Sequence, residues 1–471
     1  MLPPPFPPPR HVPRARPQFW ALGIVTVVAV AGARLLLIDP QQRGDVARAQ
    51  DGKPIGRGIV AAHVEGQPGD YMPDRQDPRF DTVRFHDAAG PSKANGHATS
   101  TARVIYGRAG EAPGIRDVYC MTADHFLQGG CLRTGTDLPP HAPHDMRVFN
   151  HSWIGGEPPL GRQILRRVDL LIDREDVVMC VGVNNGKTST VPFMLASAYN
   201  VIAVGAASGN SSGGYTRYAG EGRCKPDLTA MRQLTSFSTP EVTAAAAKLL
   251  EAAASMADDT PRARRAQTIK ALLMAGASKP ETWAPAPGKP LDEFLGAGVL
   301  DFDKSLAMLV AGLNPPPLMR NLLGWDFRTL DRQHQVESYR LTLERPMGEL
   351  SVMLVWHRRV DGRTITDPIT RTRMWIDRPT LANLDLRLQR LDSRGNATLV
   401  AESASTIDNV EHVFLRVLPA GTYRIDVTRS DAMPAAWEYA LAWRVDPPPP
   451  PPPPPAPDVA PQVTPPPQAP D

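Results

Sequence analysis

TSFSTPEVTAAAAKLL, residues 235–250, sets two serines and two threonines directly against a run built mostly of alanine. Part of this has a local explanation. A hydroxyl at the N-cap, proline at the first helical position and an acid in the first turn all favour a helix start, which assigns those roles to Thr239, Pro240 and Glu241. Ser236 lies one turn earlier and is not accounted for in this way. A hydroxyl there faces the positive end of the helix dipole, where developing negative charge is stabilised. Ser236 is therefore either an ordinary loop serine or a nucleophile, and the rest of the chain must decide.

Working outward, IVAAHV (residues 59–64), DVYCM (117–121), RVFNHSW (147–153), VVMCVGV (177–183) and NVIAVGAA (200–207) are short runs in which apolar residues do not alternate with polar ones. Such runs are strands buried on both faces. Between the third and fourth lies LGRQILRRVDLLIDRED, with Ile164, Leu165, Val168 and Leu171 at helical spacing. Strand, helix, strand predicts an α/β fold with a parallel sheet and flanking helices. Chemistry in such sheets collects at the carboxyl ends of the strands. The residues there are Glu65, then Ser152 and Trp153, then Asn184, while His97 opens the helical stretch GHATSTARVIYG. Each alone has a bland reading as a cap, a turn or a structural histidine.

Taken in chain order, these segments resemble the subtilisin-like serine proteases, the subtilase family (peptidase S8). GRGIVAAHVEG is similar to the strand that ends in the triad acid, and NGHATSTARVIYG, with its Gly-His-x-Thr core, to the segment carrying the triad histidine. RVFNHSW resembles the substrate-binding strand and VVMCVGVNNG the strand leading to the oxyanion asparagine. GRCKPDLTA resembles the segment before the nucleophile, and TSFSTP matches Thr-Ser-x-x-Thr-Pro. The resemblance covers residues 58–313. It implies Ser236 as nucleophile, His97 as general base and acid, Glu65 as triad acid and Asn184 as oxyanion donor, with Ser152, Trp153 and Gly155 binding a polypeptide substrate and with neither cofactor nor metal.

Four departures accompany the match. Glu65 stands where the family has aspartate, with Asp70 and Asp74 as alternatives in the following loop. Leu234 replaces the glycine before Thr-Ser. The connection from Ala230 to Thr235 is short, which trims one wall of the substrate cleft. Ser100 and Thr101 replace the usual His-Val after the histidine. A catalytically degenerate protein of the same fold, serving as a binding or scaffold module of the cell envelope, is the competing reading; an esterase or transpeptidase would use the same groups.

The flanks set the context. Residues 1–18 are rich in proline and arginine, with Arg10, Arg14 and Arg16 preceding the apolar stretch 19–38. This is the pattern of a cleaved secretory signal or of a retained membrane anchor, and both place the bulk of the chain outside the cytoplasm, secreted, periplasmic or anchored at the inner membrane. Residues 39–57 read as a linker with no room for an inhibitory prodomain. Cys120 and Cys131 flank a short glycine-containing loop and are expected to form a local disulfide; Cys180 and Cys224 pair only if the fold joins their segments. No spacing suits zinc.

After Asn314-Pro-Pro-Pro, residues 318–446 alternate apolar and polar positions between turn signals in SYRLTLE, ELSVMLVW, NLDLRLQRLD, HVFLRVL and GTYRIDVTR, which predicts a smaller antiparallel β-sandwich. It resembles the sandwich attached to many secreted subtilases, with Asp385 and Asp408 as candidate ligand-binding acids. Residues 447–471 read as a disordered polyproline tail. With 52 basic and 49 acidic residues giving a net charge of +3, the chain lacks the basic excess of a nucleic-acid binder.

Overall fold

The computed structural model describes residues 52–66, 69–256 and 260–448. The readings of residues 1–38 as a signal or anchor, and of the tail beyond residue 448, lie outside the described residues. Among the described residues no helix is long and apolar enough to cross a membrane.

The N-terminal half is built on strands β1 (Val60–Glu65), β2 (Arg84–Asp87), β3 (Asp117–Thr122), β4 (Met146–His151), β5 (Val178–Gly182) and β6 (Ile202–Ala206), a small hairpin of β7 (Gly214–Tyr215) and β8 (Cys224–Lys225), and β9 (Leu228–Ala230). Seven of these form one sheet in the order β2-β3-β1-β4-β5-β6-β9, with every pair parallel. The five central strands are the apolar runs of the sequence. β2 and β9 are too short to stand out as runs and join at the edges.

Helices α1 (Gly96–Ile105), α2 (Ala123–Gln128), α3 (Gly161–Glu175), α4 (Thr235–Ala254), α5 (Thr260–Ala263), α6 (Ala266–Gly276) and α7 (Phe302–Ala311) complete this half. Helix α4 packs on β4, β5 and β6. The approach is close at Gly182 of β5, where an added Cβ would stand 3.2 Å from Thr239 Oγ1. The helix begins at Thr235, not at Pro240, which falls inside it. Thr239 therefore does not cap this helix, and the local capping signal in the sequence misplaced its start by about one turn.

The C-terminal half contains β10 (Leu323–Leu330), β11 (Val336–Leu343), β12 (Leu350–Trp356), β13 (Arg359–Thr366), β14 (Arg373–Thr380), β15 (Leu384–Leu391), β16 (Ala397–Ser403), β17 (Val410–Leu415), β18 (Gly421–Arg429) and β19 (Trp437–Val445). Two antiparallel sheets, β10-β19-β12-β17 and β11-β18-β15-β16, enclose a core that includes Tyr339, Leu354, Trp356, Leu386 and Trp443. The hairpin β13-β14 leaves the sandwich and lies against α3, where Arg166 pairs with Asp377 at 2.7 Å and the Arg167 guanidinium stacks over Trp375.

The two halves share buried polar contacts. Asp169 of α3 accepts from Arg358 Nε at 2.6 Å, and Asn200 exchanges two 2.9 Å hydrogen bonds with the Arg358 main chain. Asp408 accepts from the Cys224 N–H at 2.9 Å and from Ser405 Oγ at 2.7 Å, while Asp385 accepts from Ser430 Oγ at 3.0 Å. Both acids are buried and engaged within the protein, so neither presents a free ligand-binding carboxylate. All four cysteines are free and buried, and the expected Cys120–Cys131 disulfide is absent. Cys120 sits in the core of β3, where burial pushes its thiol well above the ordinary range and keeps it inert.

Candidate active site

Glu65 is the last residue of β1 and is nearly buried, with a side-chain exposure of 4%. Its two oxygens have separate partners. Oε1 accepts from the Gly66 N–H at 2.8 Å, and Oε2 lies 2.7 Å from His97 Nδ1. Burial raises the Glu65 carboxyl, but the hydrogen bond and charge of His97 outweigh it and hold the group below its usual value. Burial likewise lowers the His97 imidazolium, and Glu65 more than compensates, so His97 ends above its ordinary 6.5. Asp70 and Asp74 are spent elsewhere: Asp70 accepts from the Lys93 N–H and Asp74 from the Gln76 N–H.

His97 is the second residue of α1, whose N-cap Asn95 accepts from the Ala98 N–H at 2.9 Å. Beneath it, Thr101 Oγ1 donates to the His97 carbonyl at 3.0 Å and lies 3.1 Å from His63 Nε2. His63 is fully buried and its pKa is pushed down to about 4 by burial, so it is a neutral strut between β1 and α1. The Thr101 departure noted in the sequence thus has a structural use. Neither His63 nor Thr101 stands out as a site residue from sequence.

Ser236 occupies the second position of α4 and is half-buried; its hydroxyl has no hydrogen-bond partner among the described residues, His97 included. Helices α1 and α4 pack against each other, and the contacts of His97 with the end of β1 and of Thr235 with Asn185 after β5 put both segments at the carboxyl end of the sheet. The N-cap residue, Leu234, has no side chain that can cap. Asn185 supplies the cap from outside: its Oδ1 accepts from the Thr235 N–H at 3.0 Å and from Thr235 Oγ1 at 3.1 Å. The adjacent Asn184 is held by its main chain, its N–H donating to Ser212 Oγ at 3.0 Å and its carbonyl accepting from the Ser212 N–H at 2.8 Å. The Asn184 side chain makes no hydrogen bond among the described residues. The pair Asn-Asn thus divides between a committed and a free amide, a distinction the sequence does not carry.

Of the expected substrate-binding residues, Ser152 and Trp153 are buried. The Ser152 hydroxyl accepts from Asn150 Nδ2 at 3.1 Å, and Trp153 Nε1 donates to His151 Nδ1 at 3.1 Å. Trp153 packs so closely on Gly66 that a Cβ there would come within 2.4 Å of Trp153 Cβ. Both main-chain groups of Gly155 are bonded to Met194, at 3.1 and 2.9 Å, so Gly155 does not offer a free edge to a peptide. Among the described residues no group of His, Cys, Asp and Glu is arranged to hold a metal.

Among solved structures, the chain is similar to fervidolysin from Fervidobacterium pennivorans, a keratinolytic enzyme related to subtilisin, at 15% identity over 86% of this chain and 78% of that one, with a TM-score of 0.36. It is also similar to the MycP3 protease from the type VII (ESX-3) secretion system, at 16% identity over 59% of this chain and 90% of that one, TM-score 0.35. A third, shorter similarity is to the pre-peptidase C-terminal domain of a Bacillus anthracis collagenase, at 11% identity over 28% of this chain and 98% of that domain, TM-score 0.19. No curated protein sequence matches the chain. The subtilase profile matches residues 57–298, just over half of the chain and the whole span from β1 to the turn after α6. A parallel sheet with its polar residues gathered at the carboxyl ends, together with that match, makes this chain a member of the subtilase family.

Proposed function

We propose that the protein is a serine endopeptidase that hydrolyses peptide bonds through an acyl-enzyme, with Ser236 as nucleophile, His97 as base and acid, Glu65 as orienting acid and Asn184 as oxyanion donor. The observation that carries this reading is the buried Glu65 carboxylate 2.7 Å from His97 Nδ1. That contact fixes the proton on Nδ1 and leaves Nε2, which has no partner among the described residues, as the proton acceptor. Ser236 Oγ attacks the carbonyl carbon of the scissile bond while His97 Nε2 takes its proton. The Glu65 charge stabilises the imidazolium that forms. Negative charge on the substrate oxygen is met by the Asn184 amide and by the amino end of α4. Collapse expels the amine with the proton from His97, and water then repeats the sequence to release the acid.

The substrate is a polypeptide, and the arginine-flanked apolar stretch at residues 19–38 supports a reaction outside the cytoplasm, with the N-terminal segment either cleaved or retained as an anchor. Hydrolysis of unfolded casein by the wild-type chain and its loss in Ser236→Ala, with an unchanged melting temperature, is the expected result. Loss of activity in Ser238→Ala with Ser236→Ala still active would shift the nucleophile and overturn the assignment.

A further inference from the structure

A cleft of about 440 Å³ lies where the amino end of the parallel sheet meets the sandwich. Four arginines line it: Arg147 of β4, Arg262 of α5, and Arg264 and Arg265, which lead into α6. Among the described residues, Asp176, just before β5, and Glu438 of β19 are the two carboxylates that face them, with Phe327 of β10 as an apolar wall. The proposed catalytic residues stand at the opposite, carboxyl ends of the strands, so this is a separate site.

The charges in the cleft do not balance. Arg265 takes both acids, pairing with Asp176 at 3.1 Å and with Glu438 at 2.9 Å. Among the described residues Arg147 hydrogen-bonds only main-chain carbonyls, those of Glu175 at 3.4 Å and Arg264 at 3.0 Å. Among the described residues neither Arg262 nor Arg264 has a carboxylate partner. The Nε atoms of Arg147, Arg264 and Arg265 are buried without a hydrogen-bond partner. Burial, then the neighbouring Arg264 charge, press Arg147 below its ordinary pKa. Helix α6 adds the partial positive charge of its amino end, where its N-cap residue Arg265 contributes no capping acceptor and Asp176 accepts from the Ala266 N–H at 3.4 Å.

Crowded guanidinium groups short of carboxylates repel one another, a cost that an anion in the cleft offsets. Their planar forks match tetrahedral oxyanions. We propose that this cleft binds a small multivalent oxyanion of the phosphate or pyrophosphate class, free or as a lipid phosphomonoester headgroup, and that the bound anion clamps the sandwich to the parallel-sheet half. Phe327 and Glu438 come from the sandwich and the arginines from the other half, so a ligand held between them stabilises both together.

The test is to titrate inorganic pyrophosphate into the full-length protein at constant ionic strength, following heat and melting temperature. Saturable binding that raises the melting temperature is expected, weakened by about tenfold or more in Arg262→Ala and further in Arg262→Glu. Arg262 is exposed, so these variants retain the fold. Sedimentation with vesicles containing phosphatidic acid, compared with phosphatidylcholine alone, separates the two sources of the anion. Arginine-dependent retention on phosphatidic acid supports a headgroup, and pyrophosphate binding without retention supports a free anion. A melting shift reproduced by sodium chloride at matched ionic strength, or binding unaltered by Arg262→Glu, would overturn the proposal.

Discussion

Glu65 is one methylene longer than the aspartate usual at its position, and the structure uses that length: one oxygen binds the following Gly66 N–H while the other reaches His97. If this carboxylate sets the tautomer, Glu65→Gln should lower kcat by roughly three to four orders of magnitude without unfolding the protein. Steady-state kinetics beside a thermal melt checks both parts. The pH profile gives a second test. His97 must be neutral to accept the serine proton, and its folded value lies above 6.5, so kcat/KM should rise with pH through a midpoint above 6.5. In Glu65→Gln the residual activity should titrate at a lower midpoint, because only burial then acts on the ring. The pair also affects stability. The raised His97 contributes stability that is complete below its unfolded value and is lost as pH rises through the folded value. The lowered Glu65 contributes stability above its unfolded value, lost as pH falls through the folded one. Glu65 could be read as a candidate because it ends an apolar run, and His97 and Ser236 because they sit in short motifs that resemble those of the family. The distances between them, and the division of labour between Asn184 and Asn185, depend on contacts remote in sequence.

Helix α4 starts where no local signal in its sequence points. Proline after a Ser-Thr pair resembles a helix start, yet the helix begins earlier because Asn185, in the turn after β5, caps Thr235 from fifty residues away. Pro240 then sits inside, with no N–H to bond the Ser236 carbonyl, which loosens the helix at the residue bearing the hydroxyl. Asn185→Ala should cost about 1 kcal/mol of stability, the usual loss for a cap, and should lower kcat more than it changes KM. Chemical denaturation and kinetics on the same preparation measure both. The turn after β1 is equally constrained. Gly66→Ala would drive a methyl into Trp153, and overpacking of this kind costs about 1–3 kcal/mol, with a matching fall in activity as Glu65 is displaced. Unchanged melting in that variant would mean the contact relaxes freely.

Across the whole molecule, the antiparallel sandwich could be expected from its alternating strands, but its attachment could not. Helix α6 is buried along its entire length, and it packs on β12 and β19 of the sandwich. Asp169 is buried with Arg358 as its ion-pair partner from the other half. A chain ending at residue 313 would expose that helix and strand that acid, so it should fail to fold as a soluble unit. Arg358→Ala in the full chain should cost about 3–5 kcal/mol, read by denaturant melts. The segment just before β1, expected as linker, is also fixed: the Ile55, Gly56 and Arg57 N–H groups all donate to Glu251 Oε2, at 2.5, 2.5 and 3.0 Å. Such non-local packing is invisible to periodicity. If this assembled chain activates one serine, fluorophosphonate labelling followed by peptide mass spectrometry will identify it. One phosphonyl adduct is expected, on Ser236, formed by the wild type and suppressed in Glu65→Gln and His97→Ala. An intact, folded chain that takes no label, or one labelled at another serine, would contradict it.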